Sequence, residues 1–322
     1  MKEIGGYFEL EIPVRNKHIL HSKGIFVNSG RHAFELLLRE YDKEIDKILI
    51  PLYTCDVILH PIKHLGIPYQ FYHINEKLEI NHLPPLNKNE ILIANNYFGI
   101  KDKYISFLAS RYGDKLIIDN SQAWWAPEIP NIKAFYSPRK FFGIPDGGIT
   151  MGIKNCHIDL PDGKSWNRVN HLIKRMDVTA SAGYSDFQEN SKTLSIEPIT
   201  KMSPFTLRML QSIDMDRAKK IRQENFKILH SALGKINRLC IPDITDFECA
   251  MVYPFLTSNY ELKKKLIEKK VYIPSYWPNV LKTSPIDSLE YYFATNILPL
   301  PIDQRYSEDD MNFIINLINI YG

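Results

Sequence analysis

No G-x-G-x-x-G turn follows any strand-like run in this sequence, which removes the usual dinucleotide-binding fingerprint. The phosphate loop G-x-x-x-x-G-K-[ST] is missing too, since in "YSPRKFFGIPDGG" the glycines come after the lysine. There is no G-x-S-x-G elbow for a serine nucleophile and no H-E-x-x-H for a catalytic zinc. His60 and His64 stand four apart, as paired ligands do, but Pro61 follows the first and a metal site is set aside. The four cysteines (Cys55, Cys156, Cys240, Cys249) form no C-x-x-C and no disulfide framework, which points to a reducing, cytoplasmic setting. No apolar run reaches the length of a membrane span, and "MKEIGGYFELE" lacks the apolar core of a signal peptide, so no membrane is expected as a partner. Forty Lys+Arg against 37 Asp+Glu leave a formal +3, too even a balance to argue for nucleic acid.

What the chain does have is 322 residues, 44% of them apolar and 24% charged, enough for one large domain and a smaller one. Short apolar runs alternate with helical periodicity over the first two-thirds. "GIFVN", "KILIP", "YQFYHI", "EILIANN", "KLIIDN", "IKAFYS" and "GITMG" read as strands. "RHAFELLLREY", "TCDVILHPIKHLG" (with Thr54 as N-cap) and "KDKYISFLASRYG" read as helices between them. Buried strands alternating with helices argue for an α/β fold, a mostly parallel sheet covered on both faces. From Ser203 the pattern becomes one long charged helix to Gly234, then a strand ("AMVYPFL"), a helix and a final helix that Ser307 caps. The expected division is an arm at 1–22, a large domain at 23–203, a connecting helix at 204–234 and a small α+β domain at 235–322.

Sites in parallel sheets gather at the carboxyl ends of strands, where Asn28, Asn95, Asp119 and Ser137 all fall. "NSGR" (28–31) joins a strand to a helix, so its N–H groups and Ser29 can cradle an anion, with Arg31 adding a charged contact. An ordinary N-cap serine before a tight-turn glycine is the plainer reading of those residues taken alone. Asp119 ends an apolar strand and needs a cation or hydrogen bonds there; a loop-capping Asx turn reads equally from the same residues. Lys140 follows 21 residues later among Phe135, Tyr136, Phe141 and Phe142. It is either a surface lysine beside core aromatics or an amine kept neutral and nucleophilic by them. Anion cradle, strand-end Asp and later Lys, in that order, match the needs of pyridoxal phosphate (PLP). The cradle would hold the phosphate, Asp119 would keep the pyridine nitrogen protonated, and Lys140 would form the Schiff base.

At these residues the sequence resembles the DegT/DnrJ/EryC1/StrS family of fold-type-I PLP-dependent aminotransferases, which make amino sugars on nucleotide carriers. "FVNSGRHAFELLL" is similar to the family's phosphate-cup turn and helix, and "NNYFG" to its strand end before the next helix. "IIDNSQAW" matches its D-x-x-Q pattern, and "YSPRKFFGIPDGG" its lysine followed by (E/D)GG. "ILPLPIDQRYSEDDMNFIINLI" resembles its C-terminal ending. The resemblance implies that Asp119 pairs with the pyridinium, Gln122 touches the ring hydroxyl side and Lys140 carries the cofactor. It implies that Ser29 and Gly30 bind phosphate, with Ser137 as an extra phosphate hydroxyl. An aromatic usually stacks on the ring near the position of Cys55, so Tyr53 is its implied replacement. The family's partner-subunit asparagine has no clear equivalent here; "ITKMSPFTLRML" fits that segment only at Met202. What the resemblance further implies is a homodimer with an amino donor such as glutamate. The acceptor would be a nucleotide-linked ketosugar on the way to cell-surface polysaccharide. Trp124, Trp125 and Tyr184 could stack on a base or sugar, or pack in the core. The alternatives are another PLP reaction, either dehydration or transamination of a smaller ketone, or a non-catalytic binding module.

Overall fold

The computed structural model describes residues 6–17, 19–41, 45–153 and 159–322. Cys156 and part of the expected arm (1–5 and 18) lie outside the described residues. Among the described residues, nine strands run in chain order: β1 Ile25–Val27, β2 Lys47–Pro51, β3 Tyr69–Tyr72, β4 Glu90–Asn95, β5 Leu116–Asn120, β6 Lys133–Tyr136, β7 Gly148–Met151, β8 Tyr253–Leu256 and β9 Ile297–Leu300. The helices are α1 Gly30–Arg39, α2 Leu59–His64, α3 Asp102–Tyr112, α4 Asn170–Asp177, α5 Tyr184–Ile196, α6 Pro204–Ser212 and α7 Met215–Leu233. After them come α8 Leu262–Glu268, α9 Val280–Thr283, α10 Leu289–Asn296 and α11 Glu308–Tyr321.

β1 to β7 form one sheet in the order β3-β2-β4-β5-β6-β7-β1. Neighbours run parallel except at β7, which is antiparallel to both β6 and β1. β8 and β9 make a separate antiparallel pair. The fold is therefore α/β with a large, mostly parallel sheet and a small second sheet. Side chains alternate across the large sheet as strand geometry requires. Ile48, Ile50, Ile93, Ile117 and Phe135 face α1 and pack on Phe34 and Leu37. Leu92, Ile118, Ala134 and Ile149 face the opposite side, where a larger core runs on through Phe226, Tyr253, Leu298 and Ile314. Among the described residues no helix is long and apolar enough to cross a membrane.

Two local expectations are corrected. Thr54 is not an N-cap: its hydroxyl accepts from Asn95 Nδ2 at 2.9 Å, and the helix after it starts as a 3₁₀ turn at Asp56. The single long helix from Ser203 is two helices with separate caps. Ser203 caps α6 by accepting from the Thr206 N–H, with Pro204 at the first helical position. Ile213 then leaves the helix and Asp214 caps α7 by accepting from the Arg217 N–H. At Ser307 the structure shows a full capping box with Asp310.

Candidate active site

β5 delivers Asp119 to the carboxyl edge of the sheet, paired across the strands with Asn95 on one side and Phe135 on the other. It shares the α1 side of the sheet with Ile117, two residues earlier. One carboxylate oxygen, Oδ1, accepts from the Ser121 N–H at 2.8 Å, an Asx turn. Lys140 closes a 3₁₀ turn, Pro138–Lys140, and its Nζ donates to Ser121 Oγ at 2.9 Å. Burial pushes the Asp119 carboxyl above the usual carboxylate range; the Lys140 ammonium and hydrogen bonds from Ser121 pull it part of the way back. Both readings of Asp119 hold at once, because it caps a turn and it faces the lysine.

The second half of the site is the N-terminus of α1. Ser29 caps the helix, accepting from the His32 N–H at 3.2 Å, which leaves its own hydroxyl proton free to donate. The first-turn N–H groups, Gly30 and Arg31 among them, have no partner inside the helix and carry its positive dipole end. No acidic residue occupies that first turn. Ser137 stands against the same turn: a Cβ added to Gly30 would lie 3.1 Å from Ser137 Cβ and 3.4 Å from its Oγ. Gly148 approaches from β7 so closely that an added Cβ would fall 2.1 Å from the Ser29 carbonyl oxygen. The glycine pair after Lys140 thus allows three chain segments to converge. Arg31 Nε and Nη1 are shielded from solvent and have no hydrogen-bond acceptor. Burial pulls that guanidinium below its ordinary value, opposed by Cys55, Asp56 and Glu35.

The structure therefore gathers Ser29, Gly30, Arg31, Asp119, Ser137 and Lys140 at one strand edge, but not every expected residue joins them. Tyr53 is 1% exposed and belongs to the core on the other side of the sheet, edge-on to Trp277 at 4.5 Å. Its expected stacking role is corrected, because β2 turns that ring inward. Gln122 is buried, and its Oε1 accepts from the Phe98 N–H at 3.0 Å, holding a residue with φ of 56°. Trp124 and Trp125 are core residues, packed edge-on against Phe142 and Phe141. They are not free to stack on a ligand, whereas Tyr184 is exposed on α5. Nor do aromatics enclose Lys140: Phe135 enters the α1-side core, Tyr136, Phe141 and Phe142 enter the other, and the lysine is exposed. Cys55 is half-buried and close enough to feel both Lys140 and Asp119, yet burial raises its thiol and keeps it protonated. Ser121 was missed by the sequence reading; its only signal is its place two residues after Asp119 in "DNSQ".

No protein-family model matches the sequence, and no curated protein matches it. Solved structures do match. DesV of S. venezuelae, solved with a ketimine intermediate, is 17% identical, with 92% of this chain and 84% of that one covered at a TM-score of 0.62. The chain has the fold of the solved sugar aminotransferases. Spr1654 of Streptococcus pneumoniae, solved in a PLP form, shares this fold at 15% identity and a TM-score of 0.63, covering 92% of this chain and 86% of its own. A DegT DnrJ EryC1 StrS aminotransferase from Brucella abortus shares it at 14% identity and 0.60, covering 93% and 86%. In the sugar-aminotransferase fold as this chain builds it, the gathered residues sit at the carboxyl ends of β1, β5 and β6.

Proposed function

We propose that the protein is a PLP-dependent aminotransferase acting on a nucleotide-linked ketosugar, in the cytoplasm, on the way to cell-surface polysaccharide. The observation that carries it is the Lys140–Ser121–Asp119 contact beside the α1 N-terminus in a fold shared with sugar aminotransferases. The residues present fit the cofactor. The N-terminal end of α1, two serine hydroxyls and a guanidinium with unpartnered nitrogens suit a phosphate dianion. A carboxylate at the strand edge suits a protonated ring nitrogen, and an exposed amine suits an aldehyde carbon.

PLP, when bound, supplies an electron sink that lets an amino group pass from donor to ketone. The chain's own residues do the rest. Ser29, Gly30, Arg31 and Ser137 hold the phosphate; Asp119 holds a proton on the ring nitrogen. Lys140 would carry the cofactor, and its Nζ, beside Asp119, would hold and return the proton that moves between carbons. Gln122 supports the site from behind by fixing the Phe98 turn. The active form is a homodimer, supported by the apolar side chains that α4 and α5 leave exposed, Ile173, Met176 and Phe187 among them.

Borohydride reduction after mixing with PLP, followed by peptide mapping, tests this function. The expected result is a yellow protein with the reduced adduct on Lys140, and loss of about 10²–10⁴-fold in transamination in Lys140→Ala. A colourless protein, or an adduct spread over surface lysines, would sink it. A screen of ketosugars against small 2-oxo acids as acceptors decides the substrate class.

A further inference from the structure

We propose that Ser121 is a positioning residue for Lys140, holding its amine at the Asp119 edge of the site; this rests on the function proposed above. Lysine has a flexible four-carbon stem with many rotamers, so an exposed lysine sweeps a wide volume. The aromatics next to Lys140 in sequence all turn into the two cores, and the lysine is exposed. What the amine does have is the Ser121 hydroxyl, at 2.9 Å.

Ser121 is well placed to act as an anchor. It follows directly on β5, its N–H is bound to Asp119 Oδ1 at 2.8 Å, and its hydroxyl also hydrogen-bonds that carboxylate. A serine hydroxyl accepts one bond while donating another, so Oγ can take the lysine N–H and give its own proton to Asp119. The acid and the amine are thus tied to one short side chain whose backbone is pinned by the acid itself. A lysine that must return to the same place between two proton transfers gains from such a tether, since proton transfer falls steeply with misplacement.

The test compares wild type, Ser121→Ala and Ser121→Thr by three readouts: the rate of PLP adduct formation on Lys140, kcat against KM for the amino donor, and the pH profile of kcat. In S121A the adduct is expected to form about tenfold more slowly, and kcat to fall about tenfold with its pH profile displaced. KM should stay within about twofold, and S121T should recover most of both rates. If S121A does not fold, Ser121→Cys replaces it; a thiol is a weak acceptor, and the same slowing is expected. A wild-type protein that forms no adduct on Lys140 sinks the function and this role with it. A wild-type adduct matched by S121A in rate and pH profile sinks the role of Ser121 alone.

Discussion

Arg31 shows at a single residue why this site asks for an anion. Its Nε and Nη1 are buried without an acceptor, at a helix end that is already electropositive. Two shielded guanidinium nitrogens without an acceptor cost stability, so Arg31→Met should not weaken the ligand-free protein. In phosphate-free buffer the variant is expected to melt at or about 2 °C above wild type. Inorganic phosphate should then raise the wild-type melting temperature more than the variant's. A variant that melts lower, with phosphate helping both alike, would show that Arg31 is paired after all. Asp119 carries a parallel strain. Its carboxyl is raised in the folded state, first by burial, so ionising it costs stability. The penalty appears as pH rises through the raised value and is gone below the ordinary carboxylate range. Asp119→Asn should therefore melt above wild type at pH 8, with the gap closing as pH falls toward 4, in the ligand-free protein. An unchanging gap across that range would mean that the carboxyl is not raised. Both substitutions would give up the proposed function in exchange for stability.

At the scale of elements, the cup is made by the close approach of the β1–α1 turn and the start of β7. Gly147 donates its N–H to the Asn28 carbonyl at 2.8 Å, and Gly148 lies directly under Ser29. Gly148→Ala would put a methyl 2.1 Å from the Ser29 oxygen and 2.6 Å from Gly30 N. Neither partner is a flexible side-chain end, so a loss of about 3 kcal/mol is expected in urea unfolding. Gly66 is the control: its φ is +66° but nothing lies within 4 Å of an added Cβ, and Gly66→Ala should cost about 1 kcal/mol. Equal losses in the two variants would mean that the turn and β7 can move apart. The (D)GG after the lysine was legible as a motif, but its job was not, because the segment it touches is more than a hundred residues away in sequence. The same holds for Asp146, which is buried, has its carboxyl raised by that burial, and is held by Ser203 and Thr206. The break between α6 and α7 was legible in principle, since Asp214 is a fair N-cap; unbroken charge periodicity hid it.

For the whole molecule, assembly is the open consequence. Met176 is 81% exposed on α4, and Ile173, Tyr184 and Phe187 lie exposed nearby in sequence on α4 and α5, with Tyr7 and Phe8 exposed near the N-terminus. The homodimer proposed above is expected to sediment at twice the chain mass. Ile173→Glu with Met176→Glu should shift it toward monomer, because charge in an apolar contact is costly to bury. A wild-type protein that sediments as a monomer at micromolar concentration would remove the dimer. Local sequence by itself determined the seven strands of the large sheet, α1, α3, the last helix with its Ser307 cap, and the order of Ser29, Asp119 and Lys140. Those follow from periodicity, capping chemistry and charge, which act between near neighbours. Only the tertiary structure decided which way the side chains at the strand ends turn. It sent Tyr53 and Trp124 into the core, left Lys140 open, and brought Ser121 between the lysine and the acid. Those outcomes depend on contacts between distant segments, and a strand end can turn a side chain to either face until the sheet and its helices are packed.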